Sequence, residues 1–342
     1  MQCEAQAAQA CFRDTHRSPA RGGIRRAALR PLNRDTTPLE RAMRTPQAHR
    51  QYRMTSRHGT ANLSALGAIV LWALLATLGV QLARVPPFLL TGLALVIGSV
   101  WSWPFWRQWR VRPAALALGT YGLFGFHFLL FIALRYAPPV QANLVNYLWP
   151  LLIVVLAPLL LPGVTLRPVH VGAALVGFAG AAIALLGGSG LRGGGHAWAN
   201  WASWGYLPAL GSALIWATFS LASRRLAVQG RGFPTAAIGL FALVSGLLAL
   251  LCHWVLEPAV NLTTGELARI ALLGLGPLGA AFYLWDRALK LGDARTVGVL
   301  SYLTPLASTA LLVWTTGRPL TWNLALAALL IVGSALVAMR AG

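Results

Sequence analysis

From Asn62 to the C-terminus the chain is a series of ten apolar runs, each close to the ~20 residues that a helix needs to cross a bilayer. They cover residues 62–83, 88–106, 114–134, 139–161, 168–187, 206–223, 234–256, 267–288, 294–316 and 321–340. In hydrocarbon each backbone N–H and C=O has to be bonded within the spanning structure, and runs of this length meet that condition as helices. The fold class expected is therefore an all-α membrane protein with ten transmembrane helices. Composition agrees: 11% of residues are charged and mean hydropathy is +0.62, whereas soluble domains carry about a quarter charged residues.

The net charge of +20 would suggest nucleic acid as the partner of a soluble protein, but 12 of the 28 basic residues lie in the first 57 positions. That segment has several prolines and no apolar periodicity, so residues 1–57 are expected to be disordered. No apolar stretch follows its charges closely enough to make a secretory signal. Met54 stands just before the first run and is expected to be the natural start; a basic tail resting on anionic lipid is the alternative. The implied partners are the bilayer and a small molecule, with no nucleic acid. The short loops set an orientation. With a cytoplasmic N-terminus, eleven Arg and Lys residues fall on inside loops or at the cytoplasmic C-terminus, among them Arg107, Arg224 and Lys290, against five on outside loops, which satisfies the positive-inside bias. Both termini are then cytoplasmic. Arg outnumbers Lys 27 to 1, which suggests a GC-rich genome and a bacterial inner membrane.

Two polar stretches interrupt the apolar runs in the same way. Asn143-Leu-Val-Asn-Tyr-Leu-Trp-Pro150 and Gly298-Val-Leu-Ser-Tyr-Leu-Thr-Pro305 lie 155 residues apart. Ala133-Leu134-Arg135 recurs at the same offset as Ala288-Leu289-Lys290, while Ala65-Leu-Gly67 with Trp72-Ala73 recurs 144 residues later as Ala209-Leu-Gly211 with Trp216-Ala217. The chain therefore divides into a first repeat at 58–192, a linker at 193–205 and a second repeat at 206–342, with five runs in each. An odd number of spans makes the second copy enter from the opposite side, so the repeats are expected to be inverted. Paired interruptions in two such halves are the usual sequence pointer to a transport site.

The candidate site residues follow from these interruptions. Proline cannot donate to the carbonyl four residues earlier, so Pro150 and Pro305 are expected to free those of Asn146 and Ser301 and to serve as hinges for gating. Asn143, Asn146, Tyr147 and Pro150 are spaced to share one helical face, as are Gly298, Ser301, Tyr302 and Pro305. Amides and phenols there suit an amino and a carboxylate group, or they join helices by hydrogen bonds. Asp286 is the only carboxylate placed inside a run. It is expected either to bind a substrate ammonium or a proton beside Phe282 and Tyr283, or to pair with Arg287 or Lys290. His127 occupies the position of Phe282 in the first repeat, where it either relays protons or packs. Trp72, Trp216, Phe128, Trp149 and Trp285 are candidates to stack a flat substrate. Trp101, Trp103, Trp106 and Trp109 fit interfacial anchors instead.

Leu71-Trp72-Ala73, Asn146-Tyr-Leu-Trp-Pro-Leu-Leu152, Trp285-Asp286 and Ser301-Tyr-Leu-Thr-Pro305, within a five-plus-five repeat, resemble the drug/metabolite transporter superfamily and its EamA-type branch over residues 60–340. The resemblance implies ten helices around a central cavity, alternating access, and export of small metabolites. Aromatic or other amphipathic amino acids are the first expectation, unrelated metabolites or drugs the alternative, and a membrane-embedded enzyme a distant third. Neither a Gly-x-Ser-x-Gly elbow nor a His-Glu-x-x-His pair supports an enzyme, and no P-loop supports ATP as the energy source. No cofactor or metal is called for, because Cys3 and Cys11 lie in the N-terminal segment and Cys252 stands alone in a span. Nothing in the sequence sets the oligomeric state, and a monomer is compatible with it.

Overall fold

The computed structural model describes residues 46–188, 204–316 and 322–341. Contacts divide the chain into two units, Met1–Gln51 and Tyr52–Gly342. In the first, the described residues 46–51 are helical. Of the segment expected to be disordered, residues 46–57 lie within a helix that starts at Pro46, and residues 1–45 lie outside the described residues, as do 193–203 of the expected linker.

The helices are α1 (Pro46–Gln81), α2 (Pro87–Gly98), α3 (Pro113–Thr120), α4 (Phe126–Tyr136), α5 (Pro139–Asn146), α6 (Trp149–Leu160), α7 (Pro168–Gly188), α8 (Tyr206–Val228), α9 (Ala237–Leu256), α10 (Thr264–Leu275), α11 (Ala281–Leu291), α12 (Ala294–Leu300), α13 (Leu303–Thr316) and α14 (Trp322–Ala341). Among the described residues, nine stretches are long and apolar enough to cross a membrane. They match nine of the ten expected runs, several of them joining two of these helices; α12 and α13 together occupy the remaining run, 294–316. Starts are set by local chemistry. Pro87, Pro113, Pro139 and Pro168 open helices at the first position, where a missing N–H costs nothing. Thr263 and Glu266 form a reciprocal capping box for α10, and Asp293 caps α12.

Irregular backbone recurs at matched places. A π-helical turn at Tyr121–Gly125 joins α3 to α4, and another at Gly276–Ala280 joins α10 to α11, 155 residues later. The expected interruptions are real breaks: turns at residues 147–148 and 301–302 separate α5 from α6 and α12 from α13. Each break precedes its proline, and the Ser301 carbonyl, which Pro305 cannot bond, accepts from the Thr304 N–H at 3.0 Å. π-Turns inside helices are rare and concentrate at functional sites.

Lipid offers no hydrophobic drive for helix association, so close backbone approach at small residues takes its place. A Cβ on Gly246 of α9 would stand 2.8 Å from the Gly92 carbonyl of α2, and one on Gly98 would stand 2.8 Å from the Cα of Gly279. These contacts seat α2 against α9 and against the π-turn that leads into α11. Leu63, Leu159, Leu251 and Leu329 are exposed on the outside, as lipid-facing side chains should be.

Candidate functional site

Four tryptophans from four helices meet at the centre. The Trp216 ring (α8) lies 6.0 Å from Trp72 (α1), 6.3 Å from Trp149 (α6) and 6.3 Å from Trp285 (α11), and Trp285 lies 5.3 Å from both Trp72 and Trp149. Phe282 and Phe126 close the group at 5.6 Å and 5.3 Å from Trp216. An indole N–H buried among apolar groups needs an acceptor. That of Trp72 donates to the Pro277 carbonyl at 3.1 Å, and that of Trp285 donates to the Ser220 hydroxyl at 3.2 Å. The first of these contacts shows what the π-turn does: its backbone carbonyl holds a cage tryptophan.

At the edge of the cage, the half-buried His127 bonds through Nδ1 to the Leu123 carbonyl at 2.6 Å and lies 6.3 Å from Phe282. Asn143 and Tyr147 are half-buried nearby in sequence, whereas Asn146 is buried and its Oδ1 accepts from the Ser212 hydroxyl at 2.8 Å. Asn146 thus joins α5 to α8. In the second repeat the equivalent residues are spent on packing. The Ser301 hydroxyl donates to the Gly298 carbonyl at 2.5 Å, and Tyr302, with none of its surface exposed, packs against Phe178 of α7. Tyr283 faces away from the cage and donates to the Gly98 carbonyl at 3.3 Å.

Asp286 sits in a dense polar knot, 3% exposed. Its Oδ2 accepts from the Lys290 ammonium at 2.6 Å and the Thr235 hydroxyl at 2.7 Å, and its Oδ1 accepts from the Ser223 hydroxyl at 3.2 Å. Of the two basic residues considered as its partner, Lys290 is the one in place. Lys290 also donates to the Phe233 carbonyl at 2.8 Å and lies 4.3 Å from the centre of that ring, while Arg224 donates to the Lys290 carbonyl. Beside it Arg295, 8% exposed, chelates Asp293 and donates to the Thr165 carbonyl at 2.8 Å. Burial pushes the Asp293 carboxyl up, but the Arg295 guanidinium and the backbone N–H groups of Arg295 and Thr296 outweigh it and hold the group below the usual carboxylate range. Sequence analysis passed over Ser212, Ser220, Ser223, Thr235 and Phe233. A signal for three of them was present, since Ser212, Trp216, Ser220 and Ser223 follow a spacing of four, four and three along one face of α8.

The two half-helices flanking the breaks differ in burial. All seven residues of α12 are buried, whereas in α5 only Ala142, Leu144 and Asn146 are. α12 is therefore enclosed on every side, whereas α5 leaves part of its surface uncovered. The loose side carries a second aromatic set, in which Phe88 at the start of α2 meets Phe128 at 5.7 Å and Phe131 at 5.5 Å.

Comparisons with known proteins point to a family of transporters. The aromatic amino acid exporter YddG of Ancylobacter novellus is 42% identical over 296 residues, 82% of this chain and 96% of that protein. The exporter of the same name from Salmonella typhimurium is 30% identical over 286 residues, 79% of this chain and 92% of that one. A solved crystal structure, 41% identical, superposes with a TM-score of 0.73 over 82% of this chain and 98% of its own. The description "EamA-like transporter family" matches twice, at residues 59–186 and 203–340, and the chain belongs to that family of multi-pass membrane transporters.

Proposed function

We propose that this chain is a secondary-active exporter of aromatic and related amphipathic amino acids, working by alternating access in a bacterial inner membrane with both termini cytoplasmic. The observation that carries the proposal is the tryptophan cage built from four separate helices, with its buried α12 side and its looser α5 side. A flat apolar side chain is stabilised by offset and edge contacts with such rings, each about 0.5–1.5 kcal/mol beyond area burial. Similarity to exporters named for aromatic amino acids supports the same substrate class.

Residues 294–316 form the ninth of ten spans, and the two five-span repeats are inverted, as the odd number of spans in each requires. Trp72 and Trp216 contact the substrate side chain, while His127, Asn143 and Tyr147 on the less buried side receive its amino and carboxylate groups. Asn146, Tyr283, Ser301 and Tyr302 position the helices around the breaks, and Pro150 and Pro305 keep those breaks open as hinges. The Asp286–Lys290 knot latches the closed end, joining α8, the segment before α9 and α11. Opening it and closing the α5 side would carry the cage from one face of the membrane to the other.

Uptake of a panel of radiolabelled solutes into proteoliposomes, with and without a proton gradient, tests the proposal. Saturable uptake of phenylalanine or tryptophan supports it. Uptake confined to unrelated metabolites or drugs would keep the transporter and replace the substrate.

A further inference from the structure

Outside the cage, a cleft of about 280 Å³ opens beside the latch. Trp101, Phe105 and Tyr283 form its aromatic walls, and Gln108 and Thr235 supply an amide and a hydroxyl. The walls are fixed in advance: the Trp101 indole donates to the Leu275 carbonyl at 2.8 Å and the Tyr283 hydroxyl to Gly98 at 3.3 Å. The recess exists because α2 continues as a 3-10 stretch, Ser99–Trp109, that contains Pro104 and bends at Phe105, whose φ of −108° and ψ of 23° leave the helical range. Trp101 and Phe105 are each about half exposed, at 52% and 54%, so the cleft faces outward.

Thr235 belongs to both structures. The residue lines the cleft, and its hydroxyl donates to Asp286 of the latch at 2.7 Å. We propose that this cleft is a reception site for the exported solute, a flat aromatic molecule carrying an ammonium, from which binding reaches the latch through Thr235. The inference rests on the exporter reading above and on the orientation that makes the latch end cytoplasmic. The Thr235 oxygen keeps lone pairs free to accept from an ammonium, which would then stand one hydrogen bond from the Asp286 carboxylate that Lys290 now holds. Tyr283 forms one wall of the cleft, while Phe282 and Trp285 on the same helix pack within the tryptophan cluster, so α11 touches both. The amide and hydroxyl favour an amphipathic solute over a lipid acyl chain, which has no use for either.

The experiment uses inside-out membrane vesicles containing the full chain, where uptake begins from the cytoplasmic face, with radiolabelled phenylalanine as the probe. Phe105→Ala removes a wall at an exposed position, and Ala236→Trp fills the recess. Each is expected to raise KM about two- to tenfold, the worth of one aromatic contact, with maximal rate per transporter unchanged. If Ala236→Trp fails to reach the membrane, Phe105→Ala carries the test alone. Photolabelling with radiolabelled azidophenylalanine is expected to mark residues 101–108 or 235–236. Wild-type KM in Phe105→Ala, or label confined to the peptides bearing Trp72 and Trp216, overturns the reception site and leaves the exporter standing. Absence of saturable phenylalanine transport in the unaltered protein would instead remove the aromatic amino acid as the substrate, and with it the reading on which this site rests.

Discussion

The Lys290 ammonium lies 2.6 Å from the Asp286 carboxylate, one helical turn away on α11, and 4.3 Å from the ring centre of Phe233 on the segment that leads into α9. Ser223 of α8 reaches the same carboxylate, so a single pair of opposite charges joins three parts of the fold at one end of the molecule. Such a pair is not in itself strongly stabilising, because desolvation offsets the attraction; what it makes costly is removal of one partner.

Asp286→Asn or Lys290→Met alone is therefore expected to destabilise the protein by about 3–5 kcal/mol, with the double substitution recovering part of that loss. Thermal melting in detergent checks this directly. A normal melt with abolished transport in Asp286→Asn would instead move Asp286 from the latch to the substrate or proton site.

The breaks at residues 147–148 and 301–302 make a second test. Pro150→Ala and Pro305→Ala each restore an N–H that can continue the helix, so each is expected to straighten its span and slow transport at normal abundance and melting temperature. Wild-type rates in both variants would show that the prolines have no part in gating.

Trp216 touches every other tryptophan of the cage and is 4% exposed. Trp216→Ala should lose about 3–5 kcal/mol of stability, as large-to-small substitutions in packed interiors do. Trp216→Phe keeps most of the packing and should fold. Its KM for aromatic substrates is expected to rise, measured as initial uptake at several concentrations.

Glycine positions give a paired control. At Gly98 an added Cβ would meet the Gly274 carbonyl at 2.7 Å and the Cα of Gly279 at 2.8 Å, both backbone atoms, whereas at Gly333 it would meet nothing within 4 Å. Gly98→Ala is expected to lower the melting temperature. Gly333→Ala should leave it unchanged or raise it slightly, through the ~0.5–1 kcal/mol that alanine gains over glycine in a helix.

Much of this was legible in the sequence because hydrophobicity and proline act locally. The apolar runs located nine spans to within a few residues, and the matched Asn146-Tyr147 and Ser301-Tyr302 pairs marked both breaks. Pairing of Asp286 with Arg287 or Lys290 was among the expectations, because both basic residues lie within one turn of it. The π-turns left no such trace, since one extra residue in a turn requires no distinctive side chain. Contacts across helices were equally silent: neither Ser212 on Asn146 nor Thr235 on Asp286 can be deduced without knowing which helices are neighbours. The divergence of Tyr147 and Tyr302, identical in sequence position but half-buried in one repeat and fully buried in the other, is a property of the packing alone.

The proposed cargo of the tryptophan cage is an aromatic amino acid, carried across the membrane. Counterflow of radiolabelled phenylalanine into proteoliposomes loaded with unlabelled phenylalanine measures that most directly. Saturable accumulation above protein-free liposomes is expected, abolished by excess tryptophan or tyrosine and indifferent to aspartate and lysine. Accumulation no greater than in protein-free liposomes, or accumulation that aspartate and lysine suppress as well as tryptophan does, would contradict it.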